Sequence, residues 1–158
     1  MGFVEQEELL KRRHNNVISF SDIVYDSLIS ILMVGSYIAI SFVLIEICEQ
    51  TNIVNFISKT IYFLSFKSVD IRVIESFIVG LIEITSGIFN LAQTQSSLII
   101  KTITSAFLIS FGGFSILLQN LGIISEIGIS WQYILKQKIT HSVFSVLIAC
   151  LLCFCFML

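Results

Sequence analysis

The segment from Gly80 to Gly87, with the sequence GLIEITSG, places a carboxylate and two hydroxyl groups between two glycines in an otherwise apolar part of the chain. A charged side chain near the centre of a membrane helix costs about 2.5–3.5 kcal/mol on insertion scales, so a carboxylate kept there indicates a functional group. If the surroundings are a membrane, Glu83 must face protein or trapped water. Glu83, together with Thr85 and Ser86, is therefore the first candidate for binding a polar solute or an ion.

Polar and small residues recur at helical spacing on both sides of a polar connection at positions 90–97. The first run is Glu83, Gly87, Asn90 and Thr94, and the second is Lys101, Ser105, Gly112, Ser115 and Gln119. Residues at such spacings share one face of a helix, so two facing stripes could line a solute site. The same groups could instead only join helices, since interhelical hydrogen bonds in membranes average about 0.6 kcal/mol each. Lys101 could pair with Glu83 or extend to a membrane interface.

Glycine and polar residues must break any helices, because the chain contains no proline. Gly87 and the pair Gly112 and Gly113 lie inside apolar stretches, where they predict helix breaks or close helix contacts. The polar connection at 90–97 separates two long apolar arms. This pattern predicts a hairpin that enters or crosses the membrane.

The composition settles the environment of these residues. Of 158 residues, 56% are hydrophobic and 13% are charged, and the mean hydropathy is +0.95. Windows 27–45, 102–125 and 139–158 lack Asp, Glu, Lys and Arg, and window 76–100 contains one such residue, Glu83. Each is close to the roughly 20 residues that a helix needs to cross the hydrocarbon core. We therefore predict an all-α polytopic membrane protein with about four or five membrane segments, including a glycine-broken hairpin.

Two further features bear on the topology. Residues 1–26 form a polar amino-terminal segment, in which Lys11, Arg12 and Arg13 favour a cytoplasmic amino terminus. Residues 27–158 form the membrane domain. Within it, residues 53–66 are apolar but short, which favours an interfacial or half-membrane helix, whereas the distribution of lysine and arginine favours a crossing.

Several classes of function are not expected. The net charge is −2 and the basic residues form no dense patch, so nucleic acid is not an expected partner. Cys48 and the carboxy-terminal group Cys150, Cys153 and Cys155 are expected to fill apolar space rather than to bind a metal. No cofactor is predicted. An enzymatic role is not expected either, because Glu83 has no nucleophile or second carboxylate at a useful spacing.

The segments GLIEITSGI, from Gly80 to Ile88, and SFGGFSILLQNLGIISEIGIS, from Ser110 to Ser130, resemble the carboxy-terminal region of the sporulation integral membrane protein family, the YlbJ-like proteins. The resemblance covers roughly residues 28–158. It implies a nucleoside recognition or gate domain, which also occurs in concentrative nucleoside transporters and ferrous-iron transporters. The positions carried over are Glu83, Thr85, Ser86, Gly87, Gly112, Gly113, Ser115 and Gln119.

The resemblance also implies a function. It predicts a transport component for a small polar solute or ion in endospore formation. The expected location is the cell membrane or a membrane around the forespore. Asn90 is added to the site because of its position on the first polar stripe. Family members are usually more than twice as long and contain two gate-like halves. The chain is therefore expected to pair with itself, to pair with a separately encoded amino-terminal half, or to be a truncated half. A scaffold without transport activity is the alternative.

Overall fold

The computed structural model describes residues 20–125 and 130–157, and Lys11, Arg12 and Arg13 of the polar amino-terminal segment lie outside them. These residues form seven helices: α1 Phe20–Gln50, α2 Ile53–Leu64, α3 Ile71–Ile82, α4 Ile84–Gln93, α5 Leu98–Phe111, α6 Gly113–Ser125 and α7 Trp131–Met157. The chain divides into two compact units, Met1–Gly35 and Ser36–Leu158. All the contacts and cavities described below lie within the second unit. The domain boundary after residue 26 stays a prediction.

Within the described residues, three stretches of helix are long and apolar enough to cross a membrane: Phe20–Gln50, Leu98–Leu121 and Trp131–Phe156. α1 and α7 expose many large apolar side chains, among them Leu32 and Phe154. In water such exposure would be costly, whereas lipid accepts it. The prediction of a polytopic helical membrane protein is confirmed.

The short apolar segment after α1 forms α2, which has 12 residues. At about 1.5 Å per residue it is about 18 Å long, too short to cross the hydrocarbon core alone. It begins after Asn52, whose backbone has the left-handed conformation that asparagine tolerates. Val54 and Ser58 are buried, whereas Phe56 and Phe63 are exposed. The length agrees with the half-membrane helix considered above.

α3 and α4 form a helical hairpin. The two helices are separated only by Glu83 and pack extensively against each other. Arg72 near the start of α3 and Gln93 at the end of α4 line one cavity. In an uninterrupted helix these residues would be about 32 Å apart, so the chain must reverse between them.

This reversal corrects the predicted hairpin. The predicted turn is present, because residues 94–97 join α4 to α5 and these helices contact each other, but a further reversal lies at Glu83, inside what the sequence presents as one apolar arm. In the polar connection Ser97 caps α5 and accepts a hydrogen bond from the backbone N–H of Ile100 at 3.4 Å. Hydropathy shows only that both segments are apolar, and it does not reveal a chain reversal between two short helices.

α5 holds the hairpin in place. It packs most extensively along α7, where the hydroxyl of Ser145 donates a hydrogen bond to the carbonyl of Ala106 at 3.2 Å. On its other side, Phe107 contacts Phe77 of α3, with ring centroids 5.3 Å apart. Leu108 is completely buried. The core around the hairpin therefore includes side chains of α5, and on another side Ile45 of α1 and Val54 of α2 form a buried cluster with Val79 of α3.

Candidate functional site

Glu83 forms the tip of the hairpin. Its backbone is extended, with φ −140° and ψ 118°, so it ends α3 and precedes the first residue of α4. One carboxylate oxygen accepts a hydrogen bond from the N–H of Thr85 at 2.9 Å, and the other accepts one from the N–H of Ser86 at 2.7 Å. The side chain is 2% exposed. Glu83 is thus a buried cap at the amino-terminal end of α4.

This arrangement accounts for the cost of the carboxylate. The first N–H groups of a helix have no partner within the helix, and the bilayer interior offers no water to replace one. A carboxylate supplies both hydrogen bonds and a negative charge at the positive end of the helix dipole. Each oxygen of Glu83 keeps a further lone pair, because a carboxylate has about four acceptor sites. The cap therefore leaves Glu83 capable of contacting a cation or a polar solute.

A contact between two glycines closes the hairpin. A Cβ atom placed on Gly87 would overlap the Cα and N atoms of Gly80, and would lie 2.8 Å from the carbonyl oxygen of Ser76. A Cβ atom on Gly80 would lie 2.6 Å from Cδ1 of Leu108. Only glycine fits at position 87, because α3 and α4 touch there backbone to backbone, whereas at position 80 the added atom would displace the end of the Leu108 side chain.

Of the two alternatives predicted for Gly87, a helix break or a close helix contact, the structure shows the close contact. Gly87 lies inside α4, and the break occurs four residues earlier at Glu83. The requirement for glycine here comes from the close approach of two helices, which produces the same sequence signal as a break.

A second break lies between α5 and α6. Gly112 ends α5 with φ 83°, and Gly113 follows with φ 68°, both in the left-handed region that favours glycine. A Cβ atom on Gly113 would lie 3.1 Å from the carbonyl oxygen of Gly80 and 3.3 Å from that of Ile82. The second break thus packs directly against the hairpin tip, where the ends of α3, α4, α5 and α6 meet.

Ser115, in the first turn of α6, is 2% exposed, and its hydroxyl has no hydrogen-bond partner among the described residues. A buried hydroxyl without a partner costs about 1–3 kcal/mol, so a group of this kind calls for an explanation. Gln119 is one turn further along α6 and is partly exposed.

The two predicted polar stripes do not form two continuous helix faces. Glu83 precedes α4, so the first stripe is divided between the hairpin tip and the helix; along α4, Asn90 is exposed while Gly87 is buried. The second stripe is interrupted by the break at Gly112 and Gly113. The periodicity assumed an unbroken helix in both cases, and the helix ends invalidate it.

The remaining polar groups of these stripes have different surroundings. Thr85 is exposed and Ser86 is half-buried beside the tip. The hydroxyl of Thr94 donates to the carbonyl of Leu91 at 2.8 Å. The ammonium group of Lys101 donates a hydrogen bond to the carbonyl of Ala92 at 2.9 Å. It therefore provides a partner for a carbonyl group in the last turn of α4 and does not pair with Glu83.

Two neighbouring cavities border the hairpin. The smaller, of about 350 Å³, is bordered by Thr85 and Ser86 near the tip. The larger, of about 490 Å³, lies toward the open end of the hairpin. Glu49, Val79 and Asn90 line both cavities.

The sequence analysis assigned none of the three charged residues around the larger cavity to a site. They are Glu49, Arg72 and Glu75. The spacing i, i+3, i+4 and i+7 predicts that four of the lining residues share one face of α3. They are Arg72, Glu75, Ser76 and Val79. What the spacing does not contain is the chain reversal that brings α4 opposite that face.

Comparisons with known proteins give one relative. The chain is 29% identical over 137 residues to the sporulation integral membrane protein YlbJ of Bacillus subtilis strain 168. The match covers 83% of this chain but only 32% of the relative, so the chain spans about a third of that protein's length. No family model matches the chain, and no solved structure matches it.

Proposed function

We propose that this chain is a gate-type transport component of a membrane that functions in sporulation, and that it carries a small polar solute or an ion. The site comprises the hairpin tip and the glycine break that packs against it. Glu83, Thr85, Ser86 and Asn90 come from the hairpin, and Ser115 and Gln119 come from α6. Gly112 and Gly113 allow the two parts to meet.

The contact between Gly113 and the hairpin tip is the observation that carries this proposal. Transporters built from broken membrane helices place their sites where helix ends meet near the middle of the bilayer. Here Gly113 lies against the carbonyl groups of Gly80 and Ile82 at the end of α3, next to the buried carboxylate of Glu83. Ser115 adds a buried hydroxyl that lacks a partner within the described residues. A polar solute or an ion would supply that partner.

Similarity to the Bacillus protein supports the cellular role. The relative is described as a sporulation integral membrane protein, and the match includes most of this chain. That similarity supports a role in a spore-forming cell, and the proposal assigns the chain to the cell membrane or a membrane around the forespore. The resemblance to a nucleoside recognition or gate domain supports transport rather than catalysis. The proposal includes no enzymatic role.

A non-transporting scaffold is the second candidate. Thr85 and Asn90 are exposed on a hairpin that lies among membrane segments, and polar groups there need cover from protein or water. A second copy of the chain or a separately encoded half could provide that cover. In a scaffold this contact would be the function itself. In a transporter it would complete the solute site.

The test is to replace the chromosomal gene with a Glu83→Gln variant in the bacterium that encodes the chain, and to count heat-resistant spores. Glu46→Gln is the matched control, because Glu46 is an exposed carboxylate on α1 that bonds Gln50 at 2.9 Å. We expect Glu83→Gln to lower the number of heat-resistant spores relative to the amount of inserted variant, which is measured by immunoblot because loss of a cap hydrogen bond also lowers stability. Glu46→Gln should sporulate normally.

Normal spores from Glu83→Gln, with the variant present in the membrane, would contradict the proposal. The scaffold is tested separately with Gly112→Leu and co-purification of the complex. If the chain is a scaffold, Gly112→Leu releases its partner before any solute flux is lost. Solute flux through the purified chain alone in vesicles would exclude the scaffold.

A further inference from the structure

The larger cavity beside the hairpin forms a polar cleft that shares only Asn90 with the proposed site at the tip. We define the polar cleft by its six charged and carboxamide side chains: Glu49, Asn55, Arg72, Glu75, Asn90 and Gln93. They come from four helices, α1 to α4. Ser76, Thr94, Val54 and Val79 complete the lining. At about 490 Å³, the cleft falls within the size range of small-molecule sites, roughly 300–1,000 Å³.

The six side chains converge without binding each other. Among the described residues, none of the six makes a side-chain hydrogen bond or an ion pair. The two hydroxyl groups of the lining, in contrast, are already satisfied: Ser76 donates to the carbonyl of Arg72 at 2.7 Å, and Thr94 donates to that of Leu91. The cleft therefore offers charged and carboxamide groups that remain available to a ligand.

The available groups define the chemistry of that ligand. Arg72 presents a planar guanidinium, which binds a carboxylate through two parallel hydrogen bonds. Glu49 and Glu75 accept hydrogen bonds from cationic groups. The three carboxamides both donate and accept, so they suit neutral polar groups. With two carboxylates and one guanidinium, the lining carries one excess negative charge.

We propose that the polar cleft binds a small zwitterion that carries an additional cationic group, namely a basic amino acid or a molecule of the same charge pattern. Arg72 binds the carboxylate of the ligand. Glu49 and Glu75 bind its two cationic groups. The carboxamides of Asn55, Asn90 and Gln93 orient it.

The position of the cleft connects it to the proposed transport site. Glu49, Val79 and Asn90 line the cleft and also the smaller cavity, which continues to Thr85 and Ser86 at the hairpin tip. The cleft would then be the place where a solute is selected before it reaches the tip. As the identity of a transported solute, this assignment rests on the proposed function; as a binding site, it depends on the cleft alone.

The experiment measures binding to the purified full chain in lipid nanodiscs by equilibrium dialysis with radiolabelled L-lysine. Unlabelled cadaverine, glycine and L-glutamate serve as competitors. Cadaverine keeps both cationic groups of lysine and lacks the carboxylate, glycine lacks the second cationic group, and glutamate reverses the side-chain charge. We expect saturable lysine binding, with all three competitors weaker than unlabelled lysine and glutamate the weakest.

Two variants separate the roles of the charges. Glu75→Gln should lower the affinity for lysine on the order of tenfold, with a smaller effect on glycine, because a charged hydrogen bond to the second cationic group is lost. Arg72→Gln should remove the preference for lysine over cadaverine, because the carboxylate of lysine loses its partner. Glu46→Gln, outside the cleft on α1, should leave all affinities unchanged. Circular dichroism checks that each variant keeps its helix content.

Absence of saturable binding for lysine, or competition by glutamate as strong as that by lysine, would overturn the proposal. Equal losses from Glu75→Gln and Glu46→Gln would do the same, since the effect would then not come from the cleft. The two proposals fail separately. Lysine binding together with normal spores from Glu83→Gln would support the binding site in the cleft and contradict the transport function. Impaired spores from Glu83→Gln without lysine binding would support the transport function and contradict the binding site in the cleft.

Discussion

The two helix breaks of the membrane domain use different chemistry. At Glu83 the chain reverses, and the helices on either side pack together through Gly80 and Gly87. At Gly112 and Gly113 the flanking helices α5 and α6 do not pack extensively along each other in the described part of the chain. The first break has a side chain that caps the following helix. The second has left-handed glycines and no capping side chain at Gly112.

The difference shows what each kind of break requires inside a membrane. A reversal exposes the amino-terminal N–H groups of the second helix, which need acceptors because lipid offers none. Glu83 provides two acceptors from one residue. A break that requires only a local left-handed backbone is satisfied by glycine alone. The hydroxyl of Ser115, which has no partner among the described residues, is thus the group of the junction that the proposed solute or ion would complete.

The largest expected effect comes from the glycine contact that closes the hairpin. Gly87→Ala places a methyl group onto the backbone of Gly80, so α3 and α4 must separate. Overpacking of a core lowers the free energy of unfolding by about 1–3 kcal/mol and occasionally more. Because the new methyl group meets rigid backbone, we expect a loss at the upper end of this range. We expect a large fall in the thermal midpoint of the purified protein. The midpoint is measured by heating a fluorescent-protein fusion and detecting the remaining folded fraction by size-exclusion fluorescence.

Gly35→Ala is the control for that variant. Gly35 also lies within a helix, but a Cβ atom there would have no neighbour within 4 Å. Alanine has a higher helix propensity than glycine by about 0.8–1.0 kcal/mol, so this variant should be neutral or stabilising. If both variants melted alike, the close contact of α3 with α4 would not exist in the membrane.

Glu83→Gln is expected to have the next largest effect. A glutamine can accept a hydrogen bond through only one oxygen, so either Thr85 or Ser86 loses the partner of its backbone N–H. A hydrogen bond to a charged group contributes about 1.5–3 kcal/mol, which sets the expected decrease in stability. The thermal midpoint of Glu83→Gln should therefore fall. The midpoint of Glu83→Asp should also fall, because the shorter side chain does not reach both N–H groups in the same geometry.

A matched control for Glu83 is Asp70, which caps α3 by accepting a hydrogen bond from the N–H of Arg72 at 2.9 Å at an exposed helix end. Asparagine keeps an oxygen that can accept this hydrogen bond, so Asp70→Asn should cost only the favourable charge at the helix end, about 0.3–1 kcal/mol. Equal losses for Glu83→Gln and Asp70→Asn would mean that the tip is hydrated rather than enclosed.

Gly113→Ala tests the second break. A left-handed backbone costs a residue with a Cβ atom about 1–2 kcal/mol, and the new methyl group would press on the carbonyl of Gly80 at 3.1 Å. We expect a moderate fall in the thermal midpoint, smaller than that of Gly87→Ala. An unchanged midpoint would show that the break is not held in the left-handed conformation.

Ser115→Ala should have the smallest effect on stability. The hydroxyl has no partner within the described residues, so its removal should leave the thermal midpoint unchanged or raise it slightly. If the hydroxyl contacts a solute or an ion, the same variant should still lower the yield of heat-resistant spores. A fall in the midpoint would instead show that the hydroxyl has a structural partner.

The sequence was sufficient for the class of protein and for several residues of the junction. The apolar windows predicted the membrane helices, because the length of a crossing helix is set by the bilayer. The cost of one carboxylate singled out Glu83. The sequence did not predict the reversal at Glu83, since α3 and α4 together have the length and hydropathy of a single crossing helix. The cleft was missed for the same reason, because Arg72 and Gln93 are brought together only by that reversal.

The distance between the two ends of the hairpin in a lipid bilayer tests the chain reversal at Glu83 most directly. Spin labels are attached at Arg72→Cys and Gln93→Cys, both exposed positions, in a background without Cys48, Cys150, Cys153 and Cys155, and their separation is measured by dipolar electron paramagnetic resonance. The hairpin predicts a short separation, because both residues line one cleft. A separation near the roughly 32 Å of a continuous helix would contradict the hairpin and the site built on its tip.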